Sequence, residues 1–408
     1  MQDKPRIALF VDSYFPMVDG VVNVVDNYAK LLGKEFDVMV FAPKSRNKGY
    51  VDNVPYKLQR CKAVKIFFLE YDMAMPGLDS SFKKALKEFK PDIVHLHSPF
   101  GVGKLAITYG KKHHVPIVAT FHSQFKRDFY RATKSKALSA IMLKTVMSVF
   151  KKADVVWTLN DFCVNLVREY GYKGRVEIVP NGTNFVIDKD TEHYKKIAEE
   201  NFGIKYKQNN LLFIGRLVEE KGVFEIVNAL SELKKKNFPF NMIFLGDGTD
   251  RKKLEKALEE HGVKENTLIT GRILDQEIIK SIIVCSDLFV FPSIYDNSPL
   301  VKIEAAAGEV PSICLKNSGA GSSTTDGVNG YLIEKYDELA DKIIEALSDR
   351  QKLSEIGKNA KEQIYVTWDQ IIDIAIEKYK KLIDEFKANN GKRKKTKKSR
   401  KLSKKQRG

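Results

Sequence analysis

Short apolar runs rich in Val and Ile alternate with helical patterns along almost the whole chain, and this alternation narrows the possible folds most. Ile7–Val11 reads as a first buried strand, Val22–Leu32 as a helix and Val38–Ala42 as a second strand. A helix over Ser81–Lys90 leads into Asp92–His97, and Pro116–Phe121 and Val155–Thr158 follow as further strands. Strands this short and apolar pair in parallel and are covered on both faces. The series stops at a polar stretch, roughly residues 189–210, and restarts. Leu211–Ile214 ends in Gly215-Arg216, Met242–Leu245 in Gly246-Asp247-Gly248, and Leu288–Phe291 in Pro292-Ser293, while Ser312–Leu315 is the last strong strand. The expectation is an α/β protein of two Rossmann-like doubly wound domains, over residues 1–188 and 211–365, joined by a linker at 189–210 and separated by a cleft. An amphipathic pattern from Trp368 to Phe386 predicts a helix that can cross back to the first domain, and residues 389–408 read as a disordered basic tail.

Charge and cysteine usage limit the setting. Eleven Lys and Arg and no acid lie between Lys392 and Gly408, so the tail carries most of the net charge of +17. Such a tail is either a solvated extension or a contact to anionic lipid; without an aromatic residue it is poorly suited to stacking on nucleic-acid bases. Cys61, Cys163, Cys285 and Cys314 are scattered, which argues against a disulfide frame or zinc site and fits a reducing cytosol. No signal peptide is read at the N-terminus, and no run approaches the ~20 apolar residues of a membrane span.

Two segments carry chemistry. In Phe291–Gly308, Asp296 and Glu304 stand eight positions apart around a helix start, with Ser298 as the expected N-cap and Pro299 as the first helical residue. The amides of Ser298, Leu300 and Val301, with the helix dipole, would favour an anion. In Gly215–Gly222, Arg216 and Lys221 can converge on a diphosphate; the competing reading is a surface loop salt-bridged to Glu219 and Glu220. His95 and His97, two apart on a strand, suggest a metal only if a third ligand exists, and none is in view.

Together these residues resemble the retaining glycosyltransferases of family 4, which have the GT-B architecture. The resemblance covers the chain to about Phe386 and is most specific over Phe291–Pro311. It implies that Glu304 binds the donor ribose and that Asp296, where the family carries Glu, contacts the donor sugar. Asn297-Ser298-Pro299-Leu300 replaces the family's Gly-Phe-Pro-Leu, leaving the backbone of Asn297 onward to serve the donor. Pro16–Val22 matches the family's N-terminal glycine loop, where Gly20 admits phosphate, and Thr120–Ser123 its Thr-x-His segment, which would turn His122 toward the sugar. Pro180-Asn181-Gly182 matches a loop that shapes the cleft. The family needs no metal or cofactor.

The acceptor side rests on Phe125–Val156, where Lys126, Arg127, Arg131, Lys134, Lys136 and Lys144 interleave with apolar residues. Such a segment either lies in a membrane interface or covers the sheet with its lysines wet. The layout resembles bacterial diacylglycerol glucosyltransferases. It implies a hexosyltransferase using UDP-glucose and a lipid acceptor, cytoplasmic and peripheral on the inner face of the cell membrane. The alternatives are a capsule or cell-wall polysaccharide transferase, a GDP-mannose-dependent lipid mannosyltransferase and, outside the enzymes, a nucleic-acid-binding protein working through its tail or a silent nucleotide-sugar sensor.

Overall fold

The computed structural model describes residues 4–17, 19–45, 47, 49–64 and 73–405, with side chains as far as residue 389. Packing divides the chain into two units, Met1–Leu159 with Cys163–Val179 and Trp368–Gly408, and Asn160–Phe162 with Pro180–Thr367.

The first unit is built on β1 (Arg6–Phe10), β2 (Asp37–Pro43), β3 (Lys57–Cys61), β4 (Ala63–Val64), β5 (Met73–Ala74), β6 (Ile93–Leu96), β7 (Ile117–Thr120), β8 (Val155–Thr158) and β9 (Val176–Ile178). Its main sheet has the order β3-β2-β1-β6-β7-β8-β9, every pair parallel. Ile7 to Val11 are fully buried, as expected for a strand covered on both faces. Helices α1 (Gly20–Leu32), α2 (Ser80–Phe89), α3 (Gly101–His113), α4 (Phe125–Thr133), α5 (Lys136–Phe150) and α6 (Asp161–Glu169) connect the strands. The order reverses between β1 and β6, so their carboxyl ends flank the switch point where such sheets take ligands.

The second unit opens with α7 (Thr191–Phe202). The expected linker is thus mostly a helix that buries Tyr194 and Ala198, with Ala198 joining the second unit's core. The sheet follows: β10 (Asn210–Ile214), β11 (Asn241–Leu245), β12 (Thr267–Gly271), β13 (Leu288–Phe291), β14 (Ser312–Leu315) and β15 (Tyr331–Ile333). It is parallel in the order β12-β11-β10-β13-β14-β15. Helices α8 (Val223–Lys235), α9 (Arg251–Glu260), α10 (Gln276–Cys285), α11 (Leu300–Ala307), α12 (Leu339–Ser348) and α13 (Arg350–Gln363) complete it. Here the switch point falls between β10 and β13.

The last helix, α14 (Trp368–Lys405), belongs to the first unit. Ile371, Ile372, Ala375 and Tyr379 are buried, and the Tyr379 ring lies 4.8 Å from Trp157 between centroids. Tyr379 also meets the His95 ring nitrogen Nδ1 at 2.5 Å, and Lys34 pairs with Asp373 at 2.5 Å. The helix runs through the basic segment to Lys405, where the sequence suggests disorder. Lys and Arg are good helix formers, and a helix already anchored elongates without a new nucleus. All four cysteines are buried and unbridged.

Candidate active site

The chain leaves β10 through Gly215-Arg216-Leu217, and the turn after β11 presses directly upon it. A Cβ on Gly246 would stand 1.9 Å from the Gly215 carbonyl oxygen, and one on Gly248 would stand 2.3 Å from that of Leu217. Only glycine permits this approach, and it fixes the loop that presents Arg216. The Arg216 side chain is exposed and forms no hydrogen bond or ion pair among the described residues, so the salt-bridged reading of this loop does not hold for it. Gly222 then takes a left-handed φ of 76° as the N-cap of α8, close enough to Pro292 that a Cβ would lie 2.9 Å from its ring. That packing sets Lys221 beside the end of β13.

There Lys221 Nζ reaches both Asp296 carboxylate oxygens, at 2.5 and 2.6 Å, and Ser293 Oγ donates to the same carboxylate at 2.7 Å. The pair is largely buried, with side-chain exposures of 12% and 19%. The structure therefore joins a residue expected on the diphosphate to one expected on the donor sugar. The Asp side chain ends one methylene sooner than Glu, and its carboxylate accepts from both Lys221 and Ser293 while keeping acceptor capacity to spare.

Helix α11 starts one residue later than expected. Pro299, extended at φ −70° and ψ 122°, occupies the N-cap and Leu300 is the first helical residue, so Ser298 does not cap the helix. A residue preceding proline is held in the extended region, which keeps Ser298 outside the helical turn. The amides of Ser298, Leu300 and Val301 nevertheless make no hydrogen bond among the described residues. An open helix terminus of this kind attracts anions. Glu304 lies one turn further on, half-buried; burial alone, with no hydrogen bond among the described residues, pushes its carboxyl up to about 7.

Two neighbouring residues carried no functional signal in the sequence. Lys302 is 3% exposed. Its Nζ donates to the Ala320 carbonyl at 2.6 Å, to Ser323 Oγ at 2.9 Å and to Thr324 Oγ1 at 2.6 Å. Asn160 donates to the Asn297 carbonyl at 2.6 Å and to that of Gly319 at 3.3 Å. Lys302 was visible only as a lone cation in an apolar helix; Asn160 had no signal at all.

The remaining expected residues belong to the first unit. Gly20 is the first residue of α1, which Asp19 caps by accepting from the Val22 amide at 2.8 Å. A Cβ on Gly20 would meet nothing within 4 Å, and Val18 of the same motif lies outside the described residues. Asp12, at the end of β1, accepts from the amides of Phe100, Val102 and Gly103 and so ties that end to α3; burial raises its carboxyl to about 6. His122, just beyond β7, meets His97 Nδ1 through Nε2 at 3.1 Å, and burial lowers it to about 4. His95 uses both ring nitrogens in the core, on Tyr379 and Thr120. No group of three His, Cys, Asp or Glu suited to a metal occurs among the described residues.

The sequence matches the family models described as Glycosyltransferase Family 4, over residues 18–185, and Glycosyl transferases group 1, over residues 195–363. Alpha-monoglucosyldiacylglycerol synthase of Acholeplasma laidlawii is 25% identical over 372 residues, spanning 87% of this chain and 91% of the relative. Among solved structures, sucrose-phosphate synthase from Thermosynechococcus elongatus superposes with a TM-score of 0.75 at 19% identity, covering 94% of this chain and 100% of that one. Anabaena HepE in complex with UDP-glucose superposes with a TM-score of 0.70 at 17% identity, covering 91% and 99%.

Proposed function

Since the chain belongs to the family 4 glycosyltransferases of the GT-B fold, we propose that it is a retaining hexosyltransferase that moves glucose from UDP-glucose to the hydroxyl of a membrane lipid such as diacylglycerol. The observation that carries the donor half is the set of groups at the β10–β13 switch point. An exposed, unpaired Arg216, Lys221 and the open amides of Ser298, Leu300 and Val301 are the groups a diphosphate requires. Arg216 and Lys221 would hold the diphosphate and stabilise the negative charge that grows on it as the sugar bond breaks. These cations supply the positive charge themselves, so the reaction as proposed uses neither metal nor cofactor. Glu304 would accept from the ribose hydroxyls, and Asp296 and His122 would face the sugar, with Gly20 leaving room for phosphate. The leaving phosphate oxygen would take the acceptor's proton on the same face, without a covalent enzyme intermediate.

The lipid half is supported by the relative in Acholeplasma laidlawii and by α4 and α5. The second half of α5 is buried through Val146, Met147, Val149 and Phe150. Its first half leaves Leu138 and Ile141 exposed, with Tyr130 of α4, among Lys126, Arg127, Arg131, Lys134, Lys136 and Lys144. Apolar side chains ringed by cations suit the surface of an anionic bilayer. No helix among the described residues is long and apolar enough to cross a membrane, so attachment would be peripheral and, as proposed, on the cytoplasmic face.

The test is a donor screen with purified full-length protein, vesicles containing diacylglycerol and anionic lipid, and mass spectrometry of the product. Glucosyl lipid is expected from UDP-glucose, with activity lost in Arg216→Ala and reduced in Ile141→Glu. A polar oligosaccharide product, or activity indifferent to vesicles, overturns the lipid assignment. A mannosyl lipid from GDP-mannose overturns the donor assignment alone.

A further inference from the structure

Lys302 is the one buried lysine in a helix whose N-terminal turn is the proposed diphosphate site. Three hydrogen bonds satisfy its ammonium, all to neutral oxygens of residues 320–324, and no carboxylate pairs with it among the described residues. An ammonium taken out of water without a counter-charge is costly unless it serves some arrangement. The segment it holds is itself compact: Ser318 Oγ donates to the Leu315 carbonyl at 2.7 Å and accepts from the Gly321 amide at 3.0 Å. Gly319, at its tip, packs so closely on the turn before α11 that a Cβ would stand 2.4 Å from the Asp296 carbonyl oxygen and 2.5 Å from the Asn297 Cα. A continuous path thus runs from Lys302 through residues 318–324 to the backbone of Asp296 and Asn297, which leads straight into the open amides of Ser298, Leu300 and Val301.

We infer that Lys302 is a positioning residue for donor binding: it staples residues 318–324 beneath the Asp296–Asn297 turn and so holds the diphosphate-binding amides in register. This rests on the donor reading given above. The unopposed positive charge adds to the effect. It sits in the first turn of the helix whose terminus would take the anion, in surroundings that screen it poorly. No bond to the donor is required of Lys302; it acts through the backbone it fixes.

The experiment compares Lys302→Met with wild type for binding of UDP and UDP-glucose by calorimetry, alongside thermal unfolding without ligand. Methionine keeps the stem and removes the charge and the three donors. Replacing a buried charge by an apolar chain is often neutral or stabilising. The expected result is therefore a ligand-free melting temperature that holds or rises, with nucleotide affinity about tenfold weaker or more. A lysine that merely supported the fold would give the reverse, lower stability with unchanged affinity, and that result refutes the inference. Should Lys302→Met fail to fold, Ser323→Ala with Thr324→Val removes two of the acceptors from the loop side. A loss of affinity of threefold or more then supports the staple, and unchanged affinity overturns it. Wild-type protein that binds neither UDP nor GDP refutes the donor reading and this inference with it; wild-type binding that Lys302→Met retains refutes the inference alone.

Discussion

With Glu304 on the donor ribose, as proposed above, donor affinity should depend on pH in a direction that can be worked out beforehand. Burial raises its carboxyl from 4.5 to about 7, so the ligand-free protein is half protonated there near neutrality. Ribose hydroxyls donate to a carboxylate, so the ionised form binds and the proton must leave. With a free-state pKa near 7 and a bound-state pKa well below it, the competent fraction rises from roughly a tenth at pH 6 to roughly nine tenths at pH 8. Affinity for UDP-glucose should therefore increase about tenfold over that range, or about 1.4 kcal/mol, with about half a proton released on binding at pH 7. UDP-glucose suits the measurement better than UDP, whose terminal phosphate ionises in the same window. Calorimetry in two buffers of different ionisation enthalpy reads both quantities. Asp12, raised to about 6, titrates in a similar pH range but caps α3, so Glu304→Gln isolates the Glu304 contribution. That variant should bind with little pH dependence. A flat profile in wild type, or the same slope in Glu304→Gln, refutes the reasoning. The same shift has a stability consequence of opposite sign. The folded state binds the proton more tightly than the unfolded chain, so stability from this group is fullest below pH 4.5 and is lost as pH rises through 7. The ligand-free melting temperature should therefore fall less over pH 5–8 in Glu304→Gln than in wild type.

Other outcomes follow from named contacts. Arg216→Ala should leave the unfolding free energy within about 0.5 kcal/mol, because the side chain is exposed and unpaired, while lowering kcat by about 100-fold in a single-donor assay. Gly246→Ala should destabilise the second unit by about 1–3 kcal/mol or more in urea titration, since its Cβ meets the Gly215 carbonyl and its φ of 151° strains an L-residue. Tyr379→Phe should cost about 1–3 kcal/mol by leaving the buried His95 Nδ1 unpaired, and a wild-type denaturation midpoint would show that this hydrogen bond contributes little.

The sheets were legible because their signals are local. Leu288–Phe291 and Ser312–Leu315 coincide with their predicted strands, and α1 ends at Leu32, where the pattern over Val22–Leu32 places it. The glycine turns at 215 and 246 were visible as strand-end punctuation, although their mutual contact was not, since nothing in a sequence reports which two loops touch. Residues 189–210 look like a linker because their polar face dominates; only the packing of Tyr194 and Ala198 reveals a helix of the second unit. Ser298 was misplaced because capping preference favours serine, while the proline after it holds the chain extended for one residue more. The Lys221–Asp296 pair spans 75 positions, and the Lys302 contacts join a helix to a loop beyond the next strand. Such pairings follow from the completed sheet.

The return of α14 to the first unit has a consequence for synthesis. Apart from the short stretch Asn160–Phe162, the second unit is an insertion: the chain enters it after Val179 and leaves it at Thr367, and both of these crossings must be made before the first unit is whole. Until Tyr379 emerges from the ribosome, His95 and Trp157 have an uncovered neighbour where its ring will lie. The domain begun first is thus completed last, after the one encoded within it can already have folded.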